Sequence, residues 1–288
     1  MSGPVNLTLR NTPPKVSVPV QRLLVKIIGK WPFQNFMMAE MSHMLPYWGR
    51  VPVIDFNNKR ILFYSPKAGC STAIKWFLRG AGLLNEAMEH NPEWVHSYIS
   101  EVYRARYDVN KQLPRVLTDP TYVRIKVVRN PFSRFASAYY HAIRYRKVFF
   151  PGGLNEDFNM VGFLELLQKQ EKRLLNPHFA PQYSLWEEMY PGLMDEVLHL
   201  EDLDHEIEEM NKRHGWHNPL DREVTVLQHA APRENMDEED LHLRDYGQLL
   251  QRFPKDYSRF FTNEEFREMV YQFYRQDFDC YGYSKNTV

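Results

Sequence analysis

Two cysteines, Cys70 and Cys280, are all that this chain of 288 residues contains, so no disulfide framework holds it together. A reducing, cytoplasmic location is the simplest setting for such a chain. Net charge is missing as well. The 36 basic and 36 acidic residues cancel, so no global field draws the protein to nucleic acid or to an anionic membrane. No apolar run approaches the roughly 18 residues of a membrane span, and the N-terminus has no apolar run of signal-peptide length. Internal repeats and low-complexity tracts are absent. No His/Cys/Asp cluster has metal-ligand spacing, so no metal is expected. What remains is an ordinary globular composition, 43% hydrophobic and 25% charged, in a chain long enough to bury a sizeable core. Any anion site must therefore be built locally.

The residues that build one run Ser65-Pro66-Lys67-Ala68-Gly69-Cys70-Ser71-Thr72. Before them, Arg60-Ile61-Leu62-Phe63-Tyr64 reads as a short buried strand. After them, Ala73 to Arg79 has helical spacing and few breakers. A helix N-terminus presents N–H groups without intrahelical partners at the positive end of the dipole, which suits an anion. Gly69 is expected to let the backbone approach a ligand, while Lys67, Ser71 and Thr72 add donors. A nucleoside-triphosphatase loop places its Lys after the last Gly, where this chain has Cys70. That displacement argues against ATP hydrolysis. An ordinary strand-to-helix turn would share the same outline, so this stretch alone does not decide the matter. Cys70 itself reads as a small packed loop residue, with no His–Asp arrangement nearby to make it a nucleophile.

A second stretch has the same grammar. Thr121 to Val128 alternates like a strand with a β-branched inner set, then runs into Arg129-Asn130-Pro131-Phe132-Ser133-Arg134. Pro131 suits the first position of a helix, where its missing N–H is not needed. Arg129, at the strand end, and Ser137, two turns into the helix, are placed to converge on one anion, and a guanidinium suits a phosphate monoester. The plainer alternative makes Arg129 and Arg134 surface charges.

Elsewhere, Leu84 to Arg106 reads as helix interrupted at Asn91-Pro92, Phe163 to Leu175 as a helix, Glu196 to Leu200 as a strand and Leu203 to Arg213 as a helix. Val224 to Leu227 reads as a further extended run. Asn263 to Phe278 forms a final helix, with Thr262 as its cap and Glu265 completing a capping box. The expected fold is α/β, with a central parallel sheet flanked by helices in a three-layer, P-loop-like arrangement. Residues 1–50 are expected to be an extension packing on the core, and 51–288 one domain with a substrate-specificity insertion at about 144–190.

Together the two stretches resemble the phosphosulfate-binding motifs of sulfotransferases that use PAPS, 3′-phosphoadenosine 5′-phosphosulfate. The nearest branch is the carbohydrate-type, family 2-like one. Asn176-Pro177-His178-Phe179-Ala180-Pro181-Gln182 is similar to its His-x-x-Pro-Gln element. Val197 to Leu203 resembles its strand before an acidic helix, and Tyr274 to Tyr283 its Tyr-x-x-Asp-Phe-x-x-Phe-Gly-Tyr ending. Five motifs thus keep their order over residues 60–284. The resemblance implies that Lys67, Ala68, Gly69, Cys70, Ser71 and Thr72 hold the 5′-phosphosulfate, with Lys67 also catalytic at the leaving oxygen. It also implies that Arg129 and Ser137 grip the 3′-phosphate. Carbohydrate members are usually Golgi enzymes with a membrane anchor. This sequence shows no such run, so a cytoplasmic enzyme acting on a small-molecule, natural-product or carbohydrate acceptor is expected, with no nucleic-acid partner.

Sulfuryl transfer also needs a base for the acceptor's proton. Of eleven histidines, His178 ranks first because it lies in the expected substrate segment; His96 follows, then His141. His199 reads as part of a strand end. Two rivals remain open on sequence alone: a P-loop kinase or NTPase, and a non-catalytic nucleotide-binding protein.

Overall fold

The apolar run at 60–64 and the alternating run at 121–128 both become strands. In the computed structural model, residues 51–172, 175–189, 191–221, 233–234, 241–251, 253–254 and 256–288 are described. The expected N-terminal extension and the run at 224–227 lie outside them. Four strands, β1 (Val53–Asp55), β2 (Arg60–Tyr64), β3 (Val123–Val128) and β4 (Glu196–His199), pair in the order β1-β2-β3-β4. β2, β3 and β4 are parallel, with Leu62 opposite Ile125 and Val127 opposite Leu198. β1 was not anticipated, and it runs antiparallel to β2. The link between them is short, and only antiparallel neighbours can be joined by so tight a turn. The Asp55 carboxylate organises that turn. It accepts from Asn58 N–H at 3.0 Å and pairs with the buried Arg60 guanidinium at 2.5 Å.

Helices cover both faces of β3. Between β2 and β3 come α1 (Cys70–Gly80), α2 (Leu84–His90), a helical stretch over Val95–Ser97, Tyr98–Tyr103 and Arg104–Arg106, and α3 (Val109–Thr118). The middle piece of that stretch is π-helical. After β3 come α4 (Pro131–Arg144) and α5 (Met160–Gln168); α6 (Leu203–His214) follows β4, and α7 (Glu264–Tyr281) closes the chain. Ile125 and Val127 join one core with Ile74 and Phe77 of α1 and Ile207 of α6. A second, aromatic core joins Phe132, Phe135 and Tyr139 of α4 to Phe163 of α5 and Phe266, Phe273 and Phe278 of α7. Each such side chain contributes about 1.5–3 kcal/mol on burial. Two covered faces are what a parallel strand requires. Even Lys126 is only 2% exposed.

Local caps explain where helix ends differ from expectation. α5 starts earlier than Phe163 because the Asn159 side chain accepts from Gly162 N–H at 3.0 Å. The cap of α7 is Asn263, whose Oδ1 accepts from Phe266 N–H at 2.9 Å, and not Thr262. α7 kinks at Tyr274, where φ is −102°; the neighbouring Phe273 carbonyl is taken up by Lys172 Nζ, a side chain inserting into the helical ladder. Among the described residues no helix is long and apolar enough to cross a membrane.

Candidate active site

β2 ends at Tyr64 and α1 begins at Cys70, so residues 65–69 must reverse the chain. Ala68 N–H reaches back to Ser65 O at 3.2 Å, closing a β-turn with Pro66 and Lys67 at its centre. Lys67 has φ 68°, the sign a type II turn demands at this place and normally gives to glycine. A lysine held there costs about 1 kcal/mol or more of backbone strain. Gly69, the cap of α1, has φ 70°, and a Cβ added to it would lie 2.4 Å from Leu200 Cδ1. The space that a side chain at Gly69 would fill is therefore taken by Leu200, from the segment after β4. Glycine is thus required here on two counts, the positive φ and the packing of Leu200 where a Cβ would stand.

Four cations gather here from three elements: Lys67, Arg129 at the end of β3, and Arg134 and Arg144 on α4. Burial, then the fields of Arg129, Arg134 and Arg144, bring Lys67 down to about 8, against an opposing attraction to Cys70. Among the described residues no carboxylate forms an ion pair with Lys67, and none figures among the charges that act on it. Arg129 Nη1 donates to Lys67 O at 3.1 Å, and its guanidinium lies 5.1 Å from the centre of the Tyr257 ring. Ser137 is partly buried on α4 and makes no side-chain hydrogen bond among the described residues. No hydrogen bond joins it to Arg129.

Arg134 is not the surface charge of the plainer sequence reading. It is 1% exposed, and it donates from Nε to Pro66 O at 3.1 Å and from Nη2 to Pro177 O at 3.2 Å. One guanidinium thus ties the residue before Lys67 to the residue before His178. The candidate histidines lie apart from one another except for one pair. His96 is buried, with Nε2 3.4 Å from Cys70 Sγ and 3.2 Å from Ser71 Oγ, so an imidazole lies beside Cys70. His178 stacks on His141, with ring centres 4.5 Å apart and planes 19° from parallel, and its Nδ1 lies 2.8 Å from Asn176 Oδ1. His199 is tied to Glu206 at 2.8 Å and to Tyr281 O at 2.9 Å, a structural strand-end residue.

Sequence reasoning missed the support beneath Arg129. Gln182 Oε1 accepts from Arg129 N–H at 2.9 Å while its Nε2 donates to Arg129 O at 2.7 Å. Asp277, fully buried on α7, accepts from Gln182 N–H at 2.8 Å and Tyr183 N–H at 2.7 Å. Burial pushes its carboxyl up, and Arg134, these N–H donors and Lys126 counter that. Lys126 Nζ donates to Gln182 O and to Tyr281 OH, each at 2.7 Å, and to Glu187. The signal was present in the spacing of Gln182 and Asp277 within their two motifs, but nothing local says that the two motifs meet.

A sequence model of the sulfotransferase family matches residues 53–284. No curated protein and no solved structure matches the chain. The matched span takes in the whole sheet, both strand-to-helix turns and the buried Gln182–Asp277 support, and on that match the chain belongs to the sulfotransferase family.

Proposed function

We propose that this enzyme transfers the sulfuryl group of PAPS to a hydroxyl or amine of a small-molecule, natural-product or carbohydrate acceptor. The observation that carries the proposal is Lys67, an ammonium held in a strained turn among three guanidiniums, with no carboxylate paired to it among the described residues. Such a site suits a ligand with several negative charges. The turn, with Ala68, Gly69 and Cys70, and the Ser71 and Thr72 hydroxyls at the start of α1, would hold the 5′-phosphosulfate. Arg129 and Ser137 would take the 3′-phosphate. The position, beyond the C-terminal ends of parallel strands, also supports a P-loop-like, three-layer reading of the fold.

In the reaction the acceptor oxygen or nitrogen attacks sulfur, and its bond to sulfur forms as the bond from sulfur to the 5′-phosphate oxygen breaks. The electron pair leaves on that oxygen, where the Lys67 ammonium offsets the growing charge. The acceptor's proton would pass to His178, whose preceding residue Pro177 is tied through Arg134 to Pro66 of the loop. The products are the sulfated acceptor and 3′-phosphoadenosine 5′-phosphate. His96 is the second candidate base, and its contacts with Cys70 and Ser71 favour a part in shaping the loop. The two free thiols suit a reducing, cytoplasmic setting.

The test is to incubate the enzyme with PAPS and a panel of hydroxyl and amine acceptors, reading sulfated products by mass spectrometry. Product from the wild type and its loss in Lys67→Ala support the reading. Full activity in both Lys67→Ala and Arg129→Ala, or magnesium-dependent ATP turnover in place of sulfuryl transfer, contradicts it.

A further inference from the structure

Arg129 occupies a two-residue link between β3 and the helix that Pro131 opens, so neither sheet nor helix supplies partners for its main chain. A buried peptide group without partners is costly. The Gln182 carboxamide meets both needs at once, accepting from Arg129 N–H and donating to Arg129 O, as one more strand residue would. That pairing also settles which end of the amide is oxygen. The side chain is 1% exposed, and its own main chain is held at both ends: N–H by Asp277, C=O by Lys126. Asp277 comes from α7 and Lys126 from β3, so three distant segments meet to fix one glutamine.

Buried charges of this kind contribute little net stability compared with apolar residues of similar volume. Their geometric effect is to set where Arg129 leaves the sheet. From that anchor the guanidinium reaches Lys67 O and the Tyr257 ring. Neighbouring Asn130 is held in the same manner, N–H to Glu201 at 2.8 Å and side chain to Thr287 O at 2.9 Å.

We propose that Gln182, locked by Asp277 and Lys126, is a positioning residue for the 3′-phosphate: it fixes the backbone of Arg129 so that the guanidinium meets that group without reorganising. This rests on the reading that Arg129 binds the 3′-phosphate. A positioning role of this kind acts through preorganisation, which lowers the cost of ordering on binding.

The test compares 3′-phosphoadenosine 5′-phosphate with adenosine 5′-phosphate, which differ only in the 3′-phosphate, by calorimetric titration of the full chain. The wild type is expected to prefer the first nucleotide strongly. In Gln182→Met, which keeps the volume and removes both hydrogen bonds, that preference should fall by about 10-fold, the scale of one or two buried hydrogen bonds. Affinity for adenosine 5′-phosphate should stay within about 2-fold. Arg129→Ala should remove most of the preference, and adding Gln182→Met to it should change little further. A purely structural glutamine would weaken both nucleotides alike. If Gln182→Met does not fold, Gln182→Glu, which keeps the acceptor and loses the donor, is judged by the same ratio. An unchanged preference in a folded Gln182 variant overturns this proposal alone. Equal binding of the two nucleotides by the wild type overturns the reading of Arg129, and this proposal with it.

Discussion

Lys67 and Lys126 make an instructive pair. Lys126 lies within β3, bonded to Gln182 O, the Tyr281 hydroxyl and the Glu187 carboxylate. Lys67 follows β2 in a left-handed turn, with cations around it and no carboxylate partner among the described residues. Burial favours the neutral form of both. The two differ in what answers the charge. Lys126 is answered from within the fold, so it can serve only to hold other groups in place. Lys67 has no such answer among the described residues, and the strain in its backbone is a cost that folding alone does not explain.

That contrast can be broken most forcefully at Lys126. Glu187→Ala leaves a buried ammonium without its carboxylate and should cost about 3–5 kcal/mol in urea unfolding, whereas Lys126→Met with Glu187→Leu should recover most of that loss. If the single variant unfolds at the wild-type midpoint, the paired half of the comparison fails. At Lys67 the expected result is the reverse. Lys67→Ala should lower kcat for sulfuryl transfer by about 100-fold or more while leaving circular dichroism and the unfolding midpoint intact or improved.

A pH series sharpens the same point. A bound anion raises the Lys67 value from its free level of about 8, so binding takes up a proton there. Affinity for 3′-phosphoadenosine 5′-phosphate should be full below pH 8 and fall by up to about tenfold per unit above it, until the value in the complex is reached. Lys67→Met should lose that part of the pH dependence; an identical profile in the variant would mean that another group titrates. The smallest effect concerns strain alone. Lys67→Gly should gain about 1 kcal/mol of stability from relieving the positive φ, less what glycine's unfolded-state freedom removes. A clear loss in thermal unfolding would show that the lysine side chain is itself stabilising.

These contrasts also mark what the sequence could and could not reveal. An unbroken apolar run made β2 readable, and periodicity made β3, α1, α4 and α6 so, because each repeats its apolar residues at the period of its own geometry. β1 has only three residues, too short for a period to register. α3 begins at Val109 behind an Asp108 with φ 44° and holds Pro114 within it, which masks a helical pattern. At the candidate site, the placement of Lys67, Gly69 and Arg129 in strand-to-helix turns was legible because that grammar is local. Arg134 and Lys126 were not, since a charged residue at an outward-seeming position reads as solvated until the covering element is known. Gln182 on Arg129 and Asp277 on Gln182 span 53 and 95 positions, and no local pattern encodes a hydrogen bond at that range.

The most direct measurement is a calorimetric titration of the wild-type enzyme, Lys67→Ala and Arg129→Ala with 3′-phosphoadenosine 5′-phosphate near pH 7. Saturable one-site binding by the wild type, weakened by about tenfold or more in each variant, is the predicted outcome. No binding by the wild type, or binding that neither substitution alters, would contradict the claim that the cations around Lys67 are there for this nucleotide.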